Sequence, residues 1–146
     1  MMDGMGENRL SEKFKRNLNR GYMKLEVWND AVNLFELVYK CISRISSLDL
    51  KSRSQIIDAA QSVSANIAEG YCRKSINEYL YFLNVALGSL GELLTRIIGL
   101  HRVNLITTDD YNSLDEYHYK VENKLVALIK SLNRKRQSGN WLEIID

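Results

Sequence analysis

The sequence predicts an all-α protein folded as an up-down-up-down antiparallel four-helix bundle. Three observations lead there. The 146 residues include no proline, the residue that most often interrupts a helix. Four segments carry apolar residues at alternating spacings of three and four, the repeat of a helix packed along one stripe. No segment alternates apolar and polar residues as a half-buried strand does.

The first long helix is expected from about Lys24 to Ser46, with a seam of Trp28, Ala31, Phe35, Val38, Ile42 and Ile45. Ser46-Ser47-Leu48-Asp49 interrupts the pattern. A second helix is expected from about Lys51 to Tyr71 through Ile56, Ala60, Val63, Ile67 and Gly70. The third opens on Ser75 as N-cap, with Glu78 three residues on to complete a capping box. Its seam runs through Ile76, Tyr79, Leu83, Ala86, Leu90, Leu93, Ile97 and Leu100. The fourth starts near Thr107 or Thr108, with Asp109 and Asp110 favourable in its first turn. Tyr111, Leu114, His118, Val121, Leu125, Leu128 and Leu132 form its seam. Short polar loops make consecutive helices antiparallel neighbours. The bundle is expected over residues 23–136, between an N-terminal arm (1–22) and a C-terminal tail (137–146). In the arm, Leu10, Phe14 and Leu18 recur every four residues among Lys13, Lys15 and Arg16. Such an arm either folds against the body or reaches for nucleic acid or a membrane surface.

Composition bounds the function. Apolar residues make 45% and charged residues 26%, as in an ordinary globular domain. The net charge of +2 supplies no strong attraction for polyanions. No apolar run approaches the length of a membrane span, and the N-terminus lacks the hydrophobic region of a signal peptide. The expected location is the cytoplasm, without membrane association. Cys41 and Cys72, with His101 and His118 out of ligand spacing, offer no zinc site. No nucleophile–base pair, acid pair or metal cluster is present, so neither enzymatic activity nor a cofactor is expected.

The stretch from Ala59 to Arg73 crowds small residues onto one segment, with Asn66 and Glu69 among them. Glu69 is read as a structural carboxylate paired with Arg73 at i+4 or with a basic residue of a neighbouring helix. A second small-residue stretch, Ala86 to Leu93, contains Gly88 and Gly91. Each glycine costs roughly 1 kcal/mol of helix stability relative to alanine. That cost predicts close packing of Gly88 and Gly91 on Ala65 and Ala68, with Gly70 ending or loosening the second helix. Leu80, Leu87, Leu94 and Ile98 lie outside the third helix's seam. Two explanations stand: an interface with a second copy, or a wider core stripe closed by the N-terminal arm.

Two basic groupings remain, Arg73-Lys74 and Arg134-Lys135-Arg136. Capping and solvation account for the second. Repeated around an oligomer, both would make a phosphate-binding surface. Tyr79, Tyr81, Tyr111, Tyr117 and Tyr119 are read as core or interface residues before base-stacking ones.

Leu25-Glu26-Val27-Trp28 with Ala31, Ser62 to Arg73, and Ala86 to Leu93 resemble the four-helix-bundle proteins encoded by intervening sequences of bacterial 23S ribosomal RNA genes. The accessory variability determinants of diversity-generating retroelements are similar. The resemblance spans about Met23 to Leu132. It implies a homopentameric ring and nucleic-acid binding, with a reverse transcriptase as partner among the retroelement relatives. It transfers no catalytic residue. The family usually has proline where this chain has Ser64, so a straighter second helix is expected. The expected function is weak, phosphate-mediated RNA or DNA binding by an oligomer. The alternative is an oligomeric scaffold for a protein partner.

Overall fold

Four helices and one short turn organise residues 20–139, the part of the chain that the computed structural model describes. A 3-10 turn at Gly21–Lys24 leads into α1 (Glu26–Ser43). Then follow α2 (Leu50–Cys72), α3 (Ile76–Arg102) and α4 (Thr108–Ser138). No strand occurs among the described residues. The N-terminal arm with Lys13, Lys15 and Arg16, and the tail beyond residue 139, lie outside them.

The helix starts follow elementary capping. Asp49, Ser75 and Thr107 each accept a backbone N–H three residues on, from Ser52, Glu78 and Asp110. Only half of the expected capping box forms, because the Glu78 carboxylate turns to Arg73 at 3.8 Å. Leu25 has no capping side chain; the Asn29 amide donates to the carbonyls of Met23 and Leu25, both at 3.0 Å, which ties the preceding turn to α1 without capping its N–H groups. Gly139, at φ 78°, closes α4 in the left-handed conformation that glycine adopts without strain.

Cross-helix contacts set an antiparallel square. Ser62 meets Ser89 and Gln55 meets Arg96 between α2 and α3. His118 meets the Leu90 carbonyl between α3 and α4. Between α4 and α1, Asp110 meets Arg44, and Lys124 meets Asp30. The seams expected from sequence fill the centre, where Ala31, Leu34, Val38, Val63, Ile67, Leu83, Leu90, Leu93, Ile97, Val121 and Leu125 are fully buried. Trp28 and Phe35 lie at its edge, only partly buried, and Leu34 takes an inward place that the seam did not assign. α2 runs unbroken through Ser64. At the end of α1, Arg53 of α2 donates to the Ile42 and Ile45 carbonyls at 2.8 and 2.6 Å. It adds a second donor to carbonyls at and just beyond the end of α1, which otherwise accept only from the turn that follows.

One sequence expectation needs correction. By length and composition, α3 meets the requirement for a membrane span, with a mean hydropathy of 1.3 over its most apolar window. The physical reason is that α3 is the most core-rich helix. Its apolar stripe is spent on neighbours within the bundle, and Glu92 and Arg96 pair on its surface.

Candidate nucleic-acid interface

The antiparallel arrangement brings the α2–α3 connection and the C-terminal turns of α4 to one end of the bundle. Arg73 and Lys74 occupy the connection. Arg136 of α4 donates to the Asn77 amide oxygen, in the first turn of α3, at 3.2 Å, and to Asn133 at 3.0 Å. The two basic groupings, sixty residues apart in sequence, thus lie at the same end of the bundle. Lys74 and Arg134 are exposed and form no ion pair among the described residues. Lys135 is half-buried.

Arg73 is held differently. Its guanidinium donates to Glu69 at 2.9 Å, lies 3.8 Å from Glu78, and sits over the Phe82 ring, 5.1 Å from its centroid. The Glu69 hydrogen bond, followed by the nearby carboxylate charges, pushes its pKa up from the ordinary arginine value. Of the two partners expected for Glu69, Arg73 is therefore the one present, and the pair leaves Arg73 less positive potential to offer a phosphate than Lys74 or Arg134.

The remaining motif residues are structural. The Asn66 amide donates to the Ser62 carbonyl and hydroxyl at 2.7 and 2.8 Å, so its polarity is satisfied beside Ser89. At Gly70 a Cβ would stand 2.9 Å from that of Phe82 and 3.1 Å from the Tyr79 carbonyl; this glycine allows the closest approach of α2 and α3. Gly70 lies inside α2, which ends only after Cys72.

Gly88 and Gly91 do not pack on α2: a Cβ at either would meet nothing within 4 Å. Both are exposed, as is Ala65. The helical period explains it. The α2-facing side of α3 carries Phe82, Ser89 and Arg96, and Gly88 and Gly91 turn away from it. Leu80 is likewise not available to a second copy as expected, because it is buried in the core. Leu87 is half-buried against the core and Leu94 and Ile98 are intermediate. Leu87 thus adds to the core stripe, while all three keep part of their surface open.

Among the tyrosines, Tyr79 is buried, Tyr111 and Tyr117 pack against the core, and Tyr81 and Tyr119 are exposed. His118 is a core histidine, as its seam position indicates. Sequence reasoning passed over Asn77, which holds Arg136 against the first turn of α3. Nothing local marks it, because its partner Arg136 comes from the end of another helix.

These features define an all-helical bundle with a basic end and no grouping of three metal-ligating side chains among the described residues. Residues 23–127 match the model of the 23S rRNA-intervening sequence protein family, and the chain belongs to that family. Its fold is similar to the crystal structure of a protein of unknown function from the S23 ribosomal protein family of Bacteroides thetaiotaomicron. The TM-score is 0.66 at 24% identity, covering 71% of this chain and 98% of that one. No curated protein matches.

Proposed function

We propose that this protein is a non-enzymatic, cytoplasmic, self-associating bundle that binds nucleic acid weakly through phosphate contacts. One observation carries the reading: Lys74, Arg134 and Arg136 lie at one end of the fold. Phosphate recognition by lysine and arginine needs charge and reach rather than a shaped pocket. With a net charge of only +2, affinity depends on this concentration of charge and on its repetition in an assembly. Leu87, Leu94 and Ile98, which keep some exposure, are the residues by which copies associate. A pentameric ring is the assembly that the family resemblance implies.

Fluorescence anisotropy with labelled RNA at low salt tests the reading. Binding should fall steeply with added salt, because phosphate contacts release counterions. Arg134→Glu with Arg136→Glu should weaken binding on every sequence alike. Absence of binding by the intact oligomer would favour a scaffold for a protein partner. Sedimentation that finds a monomer at micromolar concentration would remove self-association.

A further inference from the structure

Between the two basic groupings stands an exposed aromatic ring. Tyr81 is 63% exposed, one helical turn beyond Asn77 on the same face of α3. Asn77 is the residue that holds Arg136. On the other side, the Tyr81 ring meets Phe82 edge-on, at 5.3 Å between centroids and 81° between planes. Phe82 in turn lies under the Arg73 guanidinium. Arg136, Asn77, Tyr81, Phe82 and Arg73 therefore follow one another around the N-terminal turns of α3. The nearest carboxylate on this path, Glu78, is turned toward Arg73.

We propose that Tyr81 is a stacking platform for an unpaired base, so that this end of the bundle recognises single-stranded RNA in preference to duplex. The inference rests on the phosphate-binding reading above and names the kind of strand it takes. Packing against Phe82 steadies the ring from one side, while its exposed surface leaves room for a base. Arg136, held by Asn77, stands beside it as a backbone contact, and Lys74 and Arg134 lie at the same end of the bundle. Asn77 uses its amide oxygen on Arg136, which leaves its N–H groups for a base edge. In a duplex the bases are already stacked and their faces are closed, so the ring adds nothing. A base on an aromatic ring needs only a π-face, so the preference is for unpaired over paired rather than for one sequence.

The test compares a labelled oligouridine with an RNA duplex of the same length, at low salt, using the full chain. Tyr81→Ala should weaken oligouridine binding about 5- to 100-fold and leave duplex binding unchanged. Tyr81→Phe should bind as the parent, because the ring is kept. Thermal melting and light scattering of each variant check that fold and assembly are intact; an exposed position tolerates both changes. If Tyr81→Ala binds oligouridine like the parent while the Arg134→Glu, Arg136→Glu variant does not, phosphate contact stands and stacking is overturned. Equal losses on single strand and duplex would overturn it as well. If the parent binds neither probe, both readings fall together.

Discussion

The Nε2 of His118 lies 2.6 Å from the carbonyl oxygen of Leu90, joining α4 to α3 inside the core. A carbonyl can only accept, so Nε2 carries the hydrogen. The carbonyl's two lone pairs let it serve the histidine as well as its own helix. His118→Leu keeps most of the volume and removes the donor; urea unfolding at neutral pH should show a loss of about 1–2 kcal/mol. His118→Ala adds a cavity, and the loss should reach about 2–4 kcal/mol. Equal stability of parent and His118→Leu would show that the bond contributes nothing net.

Glycines in neighbouring helices should respond in opposite directions. Gly70→Ala forces a Cβ against Phe82 and the Tyr79 carbonyl and should cost about 1–3 kcal/mol. Gly88→Ala meets open space and should add roughly 1 kcal/mol through helix propensity. Thermal denaturation of the two variants beside the parent decides it. A destabilised Gly88→Ala would mean that another surface covers this face.

Much of this contrast was closed to sequence reasoning. Gly70 and Gly88 both sit in small-residue stretches, and only the rotation of each helix about its axis tells close approach from exposure. The bundle itself was legible because seams such as Leu83, Leu90 and Ile97 repeat locally, and Ser75 and Thr107 announce helix starts within four residues. The pairing of Glu69 with Arg73 was legible for the same reason. Asn77 with Arg136, and Arg53 with the carbonyls at the end of α1, join residues from different parts of the chain, and no local pattern encodes them.

Arg53 makes such a contact with both arms of its guanidinium. Lysine presents a single point of charge and cannot reproduce the fork. Arg53→Lys should therefore recover little of what Arg53→Met loses, a deficit of about 1–3 kcal/mol in chemical denaturation. Full recovery by lysine would indicate that charge near the α1 C-terminus suffices.

Alkaline pH should loosen the fold. Burial pushes the Tyr79 phenol up, with a smaller contribution from Tyr71. A hydrogen bond to Asp30, then one to Glu26, raises Lys124. In both cases the folded pKa lies above the unfolded one. Their stabilisation is complete below the unfolded value, near pH 10, and is lost as pH climbs through the folded value. Urea midpoints compared at neutral pH and above about pH 10 should fall for the parent and fall less for Tyr79→Phe. An identical fall in both would remove Tyr79 from the explanation.

The Asp30–Lys124 and Arg44–Asp110 pairs tie the first helix to the last, across sequence separations of 94 and 66 residues. Every other side of the square joins helices adjacent along the chain. The order of assembly follows from that difference. Hairpins of neighbouring helices close small loops and form early, while the α1–α4 seam closes the largest loop and forms last. Interactions made after the rate-limiting step govern how fast a protein comes apart. The unfolding rate is therefore expected to depend most on this one seam, and when it parts, α1 still packs on α2 and α4 on α3.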